Sequence, residues 1–554
     1  CNDGIDNDGD GLVDWQRDLG CWGPGDSTEA ARPRDEEAGW TTFDVGADSV
    51  VVYVAEAGDD GNDGATPETA VATLGRAQQL VRDGENDFIL LRRGDTWRDP
   101  DLPRRFLSGR DAAHPMVIAS YGDSIEPPRI ELGTWFINHD GQARSFTALV
   151  GLHFVGYRFD PTDPGFTGEG DGGLRYVGGG EHLLVEGCHF EHAEIVVQSC
   201  CGESYADVEI RRNVVEKAYH AMTCSGSPEG DPTFRPSGMY SSHVERLTIE
   251  GNLFDHNGWN EDVASACATI YNHNLYLNGR DVVIRDNLLT RASSIHIKLR
   301  SDTTGDMSGL IVDDNFFVEG EIGISLGGNS SEPNRFVDSV VRRNVMSDIG
   351  RSRPTTRSLA WGLDVQDNDG LMVLENLFLN QHEAGVTNSY AVNLAGGTLS
   401  DVVVEDNLFY RIQRSALRAR PTAGHATIRV ADNDFFDPDQ GSCLVDHDGA
   451  YAAYTYEGNR YQTSAVAAAW FCTPSGRATL DGWATESGET GASVLGDPGY
   501  PDADRTVETY AASLGLAPTL EAFLAEARTQ SRLTWRPELG APALNAWIRA
   551  GFGR

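Results

Sequence analysis

The chain has 554 residues, of which 40% are hydrophobic, and its 44 lysines and arginines against 84 aspartates and glutamates give a net charge of −40. This apolar content is enough for a folded core and excludes a wholly disordered chain. The chain contains no run of 18 apolar residues that would predict a membrane-spanning helix. It also contains no basic run, which argues against a nucleic-acid partner. Only two lysines occur, Lys217 and Lys298.

The first 23 residues carry closely spaced aspartates in the pattern D-x-D-x-D-G-x-x-D. Carboxylates at alternate positions followed by glycine supply the hard oxygen ligands and the sharp turn that Ca²⁺ requires. Arg17 stands where an EF-hand has its bidentate glutamate, so the motif is not a full EF-hand. It resembles the short calcium repeats of the thrombospondin type 3 kind, which implies a structural Ca²⁺; an acidic turn without an ion is the alternative. The expected ligands are Asp6, Asp8, Asp10 and Asp14.

Cys1 and Cys21 bracket this motif, and we expect a disulfide between them. A disulfide indicates an oxidising compartment, so the protein is expected to be secreted or displayed on a cell surface. The sequence begins at cysteine, as a processed N-terminus would. A lipid anchor on Cys1 is the alternative to the disulfide.

An asparagine recurs at intervals of 26–39 residues through the central part of the chain, after a short β-type run and before an apolar pair. A period of this length, with short strands and no helical segments, is typical of a solenoid, and stacked asparagines can hydrogen-bond from coil to coil. The sequence therefore predicts an all-β parallel β-helix; leucine-rich repeats lack support, and a β-sandwich with accidental spacing is the alternative. The asparagines are Asn213, Asn252, Asn287, Asn315, Asn344, Asn376, Asn407, Asn433 and Asn459.

Solenoids need closed ends, and two regions of the chain have helical patterns. Thr66 and Pro67 predict the start of an N-terminal helix over residues 66–84, and apolar spacing predicts C-terminal helices over 519–532 and 541–552. The predicted organisation is a disulfide-closed calcium-binding module at 1–23, a linker at 24–47, a parallel β-helix at 48–495 and a short C-terminal helical cap at 496–554.

Three segments resemble the entry region of right-handed parallel β-helix carbohydrate-active proteins of the pectate-lyase-like superfamily. They are YVAEAGDDGNDGATPETAVATL (53–74), ILLRRGDTWRD (89–99) and ASYGDS (119–124), and the asparagine repeat resembles the coils of these proteins. The resemblance covers about residues 48–495 and implies a right-handed β-helix acting on carbohydrate. The superfamily includes lyases, hydrolases, epimerases and non-catalytic adhesins, so it does not settle the reaction.

The segments HNLYLNG and IHIKLRS concentrate side chains that suit β-elimination of a uronate. This reaction needs a base for the proton at C5, a cation for the carboxylate and an acid for the leaving oxygen. Strand alternation places His296, Lys298 and Arg300 outward. Lys298 or His296 is the expected base, Arg300 the carboxylate partner, and Tyr276 or His273 the acid; a merely solvated basic face is the alternative.

Neighbouring polar and aromatic side chains are expected to bind the substrate, because they lie on the same face of successive coils or on the loop before them. We therefore expect an acidic polysaccharide as partner and a monomeric protein. The expected substrate-binding residues are Asn274, His256, Asn257, Trp259, Asp364, Gln366 and Asn393.

Two other functions stay open at this point. A glycoside hydrolase would use paired carboxylates about 5–9 Å apart, for which Asp364 and Asp367 are the candidates. A non-catalytic surface or adhesion protein that only binds carbohydrate would need no such pair. An epimerase remains possible because it shares proton abstraction with the lyase, which is the function that the sequence favours.

The remaining cysteines are expected to pair across neighbouring coils. Cys443 and Cys472 are predicted partners. Cys200 and Cys201 are adjacent, and either is expected to pair with Cys188 or Cys224 rather than with its neighbour; Cys267 would then be a free thiol.

Overall fold

The computed structural model describes residues 40–100, 107–169, 172–224, 234–301, 305–327, 334–355, 357–439 and 443–554, with only the backbone at 138–140. These residues form two compact units. The N-terminal unit comprises residues 40–279 and Leu524–Pro537, and the C-terminal unit comprises Arg280–Phe523 and Glu538–Arg554. The calcium motif and the Cys1–Cys21 pair lie outside the described residues.

Short strands dominate both units. The strands of the N-terminal unit are β1 (Val51–Val54), β2 (Phe88–Arg92), β3 (Thr96–Arg98), β4 (Met116–Tyr121), β5 (Arg129–Glu131), β6 (Trp135–Ala143), β7 (Thr147–Val150), β8 (His153–Val155), β9 (Gly173–Glu186), β10 (His189–Glu191), β11 (Glu194–Ser199), β12 (Tyr205–Arg211), β13 (Val214–Glu216), β14 (Met239–Ser242), β15 (Val244–Glu250), β16 (Leu253–Asp255) and β17 (His273–Leu277).

The strands that follow are β18 (Gly279–Arg285), β19 (Leu288–Thr290), β20 (Ile295–Leu299), β21 (Met307–Asp313), β22 (Phe316–Val318), β23 (Ile322–Leu326), β24 (Phe336–Arg342), β25 (Val345–Ser347), β26 (Leu359–Val365), β27 (Asn368–Leu374), β28 (Leu377–Leu379), β29 (Asn388–Ala395), β30 (Leu399–Glu405), β31 (Leu408–Tyr410), β32 (Ser415–Arg420), β33 (His425–Ala431), β34 (Asp434–Asp437), β35 (Cys443–His447), β36 (Tyr454–Glu457), β37 (Arg460–Thr463), β38 (Phe471–Thr473), β39 (Gly476–Ala478) and β40 (Ser493–Val494). The helices are α1 (Leu74–Leu80), α2 (Leu480–Ser487), α3 (Val507–Ser513), α4 (Leu520–Arg528) and α5 (Ala541–Gly551).

Each unit winds these strands into parallel sheets, and most coils add one strand to each of three sheets. In the C-terminal unit the sheets run β18–β21–β24–β27–β30–β33–β36, β19–β22–β25–β28–β31–β34–β37–β40 and β20–β23–β26–β29–β32–β35–β38. The N-terminal unit has the same plan, with β3–β5–β8–β10–β13–β16 as one of its sheets. The predicted right-handed parallel β-helix is confirmed.

The sharp corners of the coils are made by residues with left-handed backbone conformation. The residue before each asparagine of the repeat has a positive φ, for example Asp314 (50°), Glu375 (54°) and Asp406 (56°). Asp, Asn and Gly adopt this region at the lowest cost, which explains why aspartate and glycine fill many of these corners. The coil therefore turns at a fixed position relative to the following asparagine.

The repeated asparagines form a buried hydrogen-bonded ladder. Asn376 Nδ2 donates to Val341 O (2.8 Å) and to Asn407 Oδ1 (3.0 Å), while Asn376 Oδ1 accepts from the backbone N (2.9 Å) and Nδ2 (3.0 Å) of Asn344. The same pattern links each neighbouring pair from Asn287 to Asn459, and Asn213 to Asn252 in the N-terminal unit. These side chains are no more than 1% exposed, so the ladder satisfies backbone groups that water cannot reach.

The ladder of the C-terminal unit ends on a buried carboxyl group. Glu489 Oε1 accepts from Asn459 Nδ2 (2.9 Å), and Glu489 Oε2 accepts from Tyr461 OH (2.9 Å) and from the indole N–H of Trp483. Burial raises the pKa of Glu489, against the effect of these hydrogen bonds. Trp483 lies on α2 and stacks on Phe471, so α2 and Glu489 close the last coils.

The helices near the C-terminus contact the side of the coils. In the C-terminal unit, Asn545 of α5 donates to both the backbone O and Oδ1 of Asp314 at 2.9 Å, and Arg351 pairs with Glu508 of α3 at 2.8 Å. The fold prediction of few helices near this end is confirmed.

The predicted N-terminal helix over 66–84 is shorter than expected. Thr66 caps a single 3-10 turn at Pro67–Thr69, and α1 begins only after Thr73, whose side chain accepts from Arg76 N. Between them Val71 is fully buried and forms a parallel bridge with Val54. This pairing requires extended backbone, so the helix cannot run through it.

The cysteine pairing differs from the prediction. Cys188 occupies a position of the asparagine ladder, where its backbone N donates to Asn213 Oδ1 (2.9 Å), and it remains a buried free thiol whose pKa burial raises to about 12. Cys443 and Cys472 pair as predicted. The expected partners of Cys200 and Cys201, and the free Cys267, were wrong. The pairs among the described residues are Cys200–Cys201, Cys224–Cys267 and Cys443–Cys472.

Replacing one ladder asparagine should destabilise the protein. Asn376→Ala removes four hydrogen bonds and leaves buried partners unsatisfied, so we expect a loss of about 2–4 kcal/mol. The measurement is the shift of the denaturant midpoint. Asn388→Ala, at a half-buried site on β29, is the control and should cost less than about 0.5 kcal/mol. Equal losses of unfolding free energy in the two variants would contradict a stabilising role for the ladder.

Candidate functional site

One sheet of the C-terminal unit carries a line of polar side chains, one from each successive strand. The register pairs Lys298 with Ser325, Ser325 with Asp364, Asp364 with Asn393, and Asn393 with Arg418. Neighbouring strands lie about 4.8 Å apart, so these side chains contact each other. We call this line the polar row; its members are Lys298, Ser325, Asp364, Asn393, Arg418 and Asp446.

Lys298 begins the polar row with its amine held among polar partners. Its Nζ donates to Ser325 Oγ at 3.1 Å and to the carbonyl O of Gly327. The pKa of Lys298 is lowered to about 8, chiefly by burial and with a contribution from Arg300, whereas Asp364 opposes the shift. A pKa of this size gives the neutral amine, which can accept a proton, a substantial population in mildly alkaline water.

Asp364 lies at the centre of the polar row and is only 4% exposed. Its Oδ1 accepts from Asn393 Nδ2 (2.8 Å), and its Oδ2 accepts from Gln366 Nε2 (3.1 Å) and Ser325 Oγ (3.5 Å). Burial raises the pKa of Asp364 despite these hydrogen bonds and the Lys298 charge. The polar row thus holds an amine and a carboxyl group that burial shifts towards their neutral forms.

Arg418 extends the polar row with a cation and borders an aromatic pair. Its Nη1 donates to Asn393 Oδ1 (3.3 Å), and its guanidinium lies 4.8 Å from the centre of the Tyr390 ring. Trp361 pairs in register with Tyr390. Sequence reasoning missed Arg418, Tyr390 and Trp361, although SALRAR aligned with IHIKLRS places Arg418 in line with Lys298.

The expectation that the His296 side chain points outward is wrong. The side chain is fully buried, Nε2 lies 2.9 Å from the carbonyl O of Glu319, and the ring meets the Phe317 ring edge-on. Its space exists because residue 320 is glycine: a Cβ at Gly320 would lie 2.7 Å from Nε2. Arg300 is half-buried and acts on the pKa of Lys298, as expected.

Two residues expected to bind substrate serve the backbone of the N-terminal unit. Asn257 Nδ2 donates to Asn274 Oδ1 (3.0 Å), Asn257 Oδ1 accepts from Ala218 N (3.0 Å), and Asn274 Nδ2 donates to Phe254 O (3.3 Å). Both side chains are fully buried. Their assignment to substrate binding is therefore corrected, because their hydrogen bonds satisfy turns inside the coil.

The other predicted residues of the N-terminal unit form aromatic contacts. His256 is buried, with its ring 4.3 Å from the Trp259 ring and its Nε2 2.8 Å from Glu261. His273 is also buried, 5.4 Å from the half-buried Tyr276 ring. These residues belong to the N-terminal unit, whereas the polar row belongs to the C-terminal unit.

The carboxylates proposed for a hydrolase have separate surroundings. Asp367 has left-handed backbone (φ 54°) at the corner after β26, and its Oδ1 accepts from Thr398 N at 3.0 Å. Asp364 is bound within the polar row. Among the described residues the two carboxylates share no hydrogen-bond partner.

One group of potential metal ligands occurs among the described residues. Glu181, His182 and Asp207 have ligand atoms within 4.8 Å of one another, but Asp207 is already paired with Arg246 at 2.7 Å. The predicted calcium ligands lie outside the described residues. No helix in the described part of the chain is long and apolar enough to span a membrane.

Several solved structures are distantly similar to this chain. No family model matches the chain, and no curated protein is similar to it. A lacto-N-biosidase of family GH136 from Eubacterium ramulus shares 13% identity, with 75% of this chain and 68% of that chain covered and a TM-score of 0.40. A mannuronic-acid-specific polysaccharide family 6 lyase from human gut microbiota shares 14% identity, with 74% of this chain and 82% of that chain covered and a TM-score of 0.36. PfbA, a surface adhesin of Streptococcus pneumoniae, shares 13% identity, with 72% of this chain and 83% of that chain covered and a TM-score of 0.39.

The titration of Lys298 can be observed directly because the chain has only two lysines. After reductive ¹³C-methylation, we expect the Lys298 resonance to titrate near pH 8, and Lys217→Arg assigns the other signal. Asp364→Asn should lower the pKa of Lys298 further, because the carboxylate favours the ammonium form. Since the folded pKa is lowered, stability should rise between about pH 8 and 10.5, and Lys298→Met should remove that rise. Titration of Lys298 near 10.5 would contradict its burial among polar partners.

Proposed function

We propose that the protein is a secreted or cell-surface polysaccharide lyase that cleaves an acidic, uronate-containing polysaccharide by β-elimination at the polar row. The observation that carries the proposal is the position of the Lys298 amine in the polar row, bonded to Ser325 and one strand further from Asp364, where burial lowers its pKa. General bases work best when their pKa lies near the working pH. A solvated lysine on an open face would keep its ordinary pKa.

The reaction begins when neutral Lys298 removes the proton at C5 of a uronate. The electrons of the C5–H bond form the C4–C5 double bond, and the bond from C4 to the glycosidic oxygen breaks. The leaving oxygen must gain a proton, which the newly formed Lys298 ammonium can supply. Lys298 therefore serves first as base and then as acid. Neither the buried His296 nor Tyr276 of the other unit transfers a proton in this reaction.

A uronate carboxylate becomes more basic as C5 loses its proton, and a fixed cation stabilises it. Arg300 can supply that cation, since it is half-buried two residues from Lys298, acts on the pKa of its amine, and can pair with a planar carboxylate in a two-pronged manner. The positive charge of Arg300 also disfavours the Lys298 ammonium and so favours the neutral base.

One observation favours a hydrolase as the second candidate. Burial raises the pKa of Asp364, so this carboxyl group could protonate a glycosidic oxygen as a general acid. A second carboxylate would then have to activate water, and Asp367 is the nearest in sequence. The hydrolase would produce new reducing ends without an unsaturated uronyl group.

The lyase is tested by the ultraviolet absorbance of unsaturated uronyl ends released from alginate, pectate, ulvan and glycosaminoglycans. We expect a rise with one of these polymers, with a rate that increases as pH passes through about 8. Lys298→Met should lower kcat by about 10²–10⁴-fold, the usual contribution of a general base. Lys298→Arg should be as inactive, because arginine keeps the charge but stays protonated.

Lys217→Met is the matched control and should leave the rate unchanged. New reducing ends without ultraviolet absorbance, lost in Asp364→Asn, would replace the lyase by the hydrolase. Binding of the polymers without any cleavage would contradict both the lyase and the hydrolase. The remaining function would then be that of a carbohydrate-binding surface protein.

A structural Ca²⁺ is proposed for the segment 1–23, on the chemistry of its donors. Three aspartates at alternate positions followed by Gly11 offer hard oxygen ligands suited to Ca²⁺. Trp15 lies next to the last aspartate, so bound Tb³⁺ should show luminescence sensitised by tryptophan and displaced by Ca²⁺. Asp8→Asn should abolish the signal, and Asp481→Asn, at an exposed helical site, should not. A signal unchanged in Asp8→Asn would contradict the site.

A further inference from the structure

The N-terminal unit contains a cavity of about 130 Å³ between the loops that follow β8, β10 and β13 and the segment that leads into β14. We call it the aromatic pocket. The segment that leads into β14 lines one side, with Phe234 and Arg235. The other lining residues that matter here are Phe159, Glu194, Tyr219 and His220.

The floor of the aromatic pocket is built from tightly packed, buried residues. Phe159, Tyr219, Ala221 and Ala266 form one apolar cluster, and the hydroxyl of Tyr219 donates to the carbonyl O of Phe159. The disulfide Cys224–Cys267 ties the segment after Tyr219 to the segment containing Ala266. A pocket held in this way exists before any ligand binds, which lowers the entropic cost of binding.

Phe234 presents an apolar ring at the pocket without being buried. Its residue is 40% exposed, yet the ring is stacked on His220 with centres 3.7 Å apart and planes 8° apart. The ring is thus held in one orientation while part of it still faces water. A fixed, exposed aromatic face suits the apolar face of a sugar ring.

Two opposite charges line the same cavity. Glu194 Oε2 accepts from Ser237 N at 3.4 Å, which places the carboxylate beside the loop that carries Arg235. The Arg235 guanidinium lies 4.7 Å from the centre of the Tyr271 ring, a contact that orients it. The pocket therefore contains a charged acceptor, Glu194, and a charged donor, Arg235. The charges of these two residues sum to zero.

We propose that the aromatic pocket binds a single neutral pyranose unit of a glycan, as a binding site separate from the polar row. A hydroxyl can donate to Glu194 and accept from Arg235, whereas a uronate would satisfy Arg235 but place its carboxylate near Glu194 in a partly desolvated site. The aromatic rings take the apolar face of the sugar. This proposal does not depend on the lyase, because it concerns other residues and a neutral sugar.

The test is a ligand-observed NMR titration of the full chain carrying Lys298→Met, so that the polar row is disabled. The probes are the methyl glycosides of glucose, galactose and mannose, each compared with its uronide. We expect at least one neutral glycoside to bind, and to bind more tightly than its uronide. Phe234→Ala should weaken binding at least tenfold, and Ile125→Ala, at a 63% exposed apolar site in the same unit, should not.

Glu194→Gln is the readout for specificity. It removes the negative charge while keeping an acceptor, so the uronide should gain affinity relative to its neutral partner. Absence of binding by all six glycosides, tighter binding of the uronides to the unmodified pocket, or equal affinity in Phe234→Ala would each overturn the proposal. None of these outcomes alters the absorbance assay of the lyase.

Discussion

The asparagine ladder is the interaction on which the other features of the C-terminal unit depend. Each asparagine amide bonds to the next asparagine and to a backbone carbonyl, so it fixes one corner of every coil against the coils beside it. A slip of one residue in any strand would break these hydrogen bonds and reverse which side chains face inward. The ladder therefore holds successive coils in register at this corner.

The polar row is a consequence of that register. Lys298, Ser325, Asp364 and Asn393 are separated by 27, 39 and 29 residues in sequence, yet they lie on consecutive strands. Burial in the packed sheet lowers the pKa of the Lys298 amine and raises the pKa of the Asp364 carboxyl group. Stacked coils thus assemble chemistry that no local motif contains.

The sequence predicted the ladder and much of the polar row, because both repeat with the coil. It failed where a side chain is placed by a local contact: His296 fills the space that Gly320 leaves open, and Asn257 and Asn274 bond to turns. Periodicity describes strands but not these bends. The aromatic pocket could not be predicted for the same reason, since irregular loops build it.

The ladder also determines how a chain of this kind can change in length. Every inner asparagine donates from Nδ2 to the next asparagine and accepts at Oδ1 from the previous one, so a coil that is removed or duplicated as a whole leaves two ends that match. The variation in repeat length already present is absorbed by loops between the strands, outside the ladder. The last position in the C-terminal unit differs, because Glu489 accepts and cannot continue the series. The fold can therefore grow by whole coils from within, ahead of a terminal residue that stays the same.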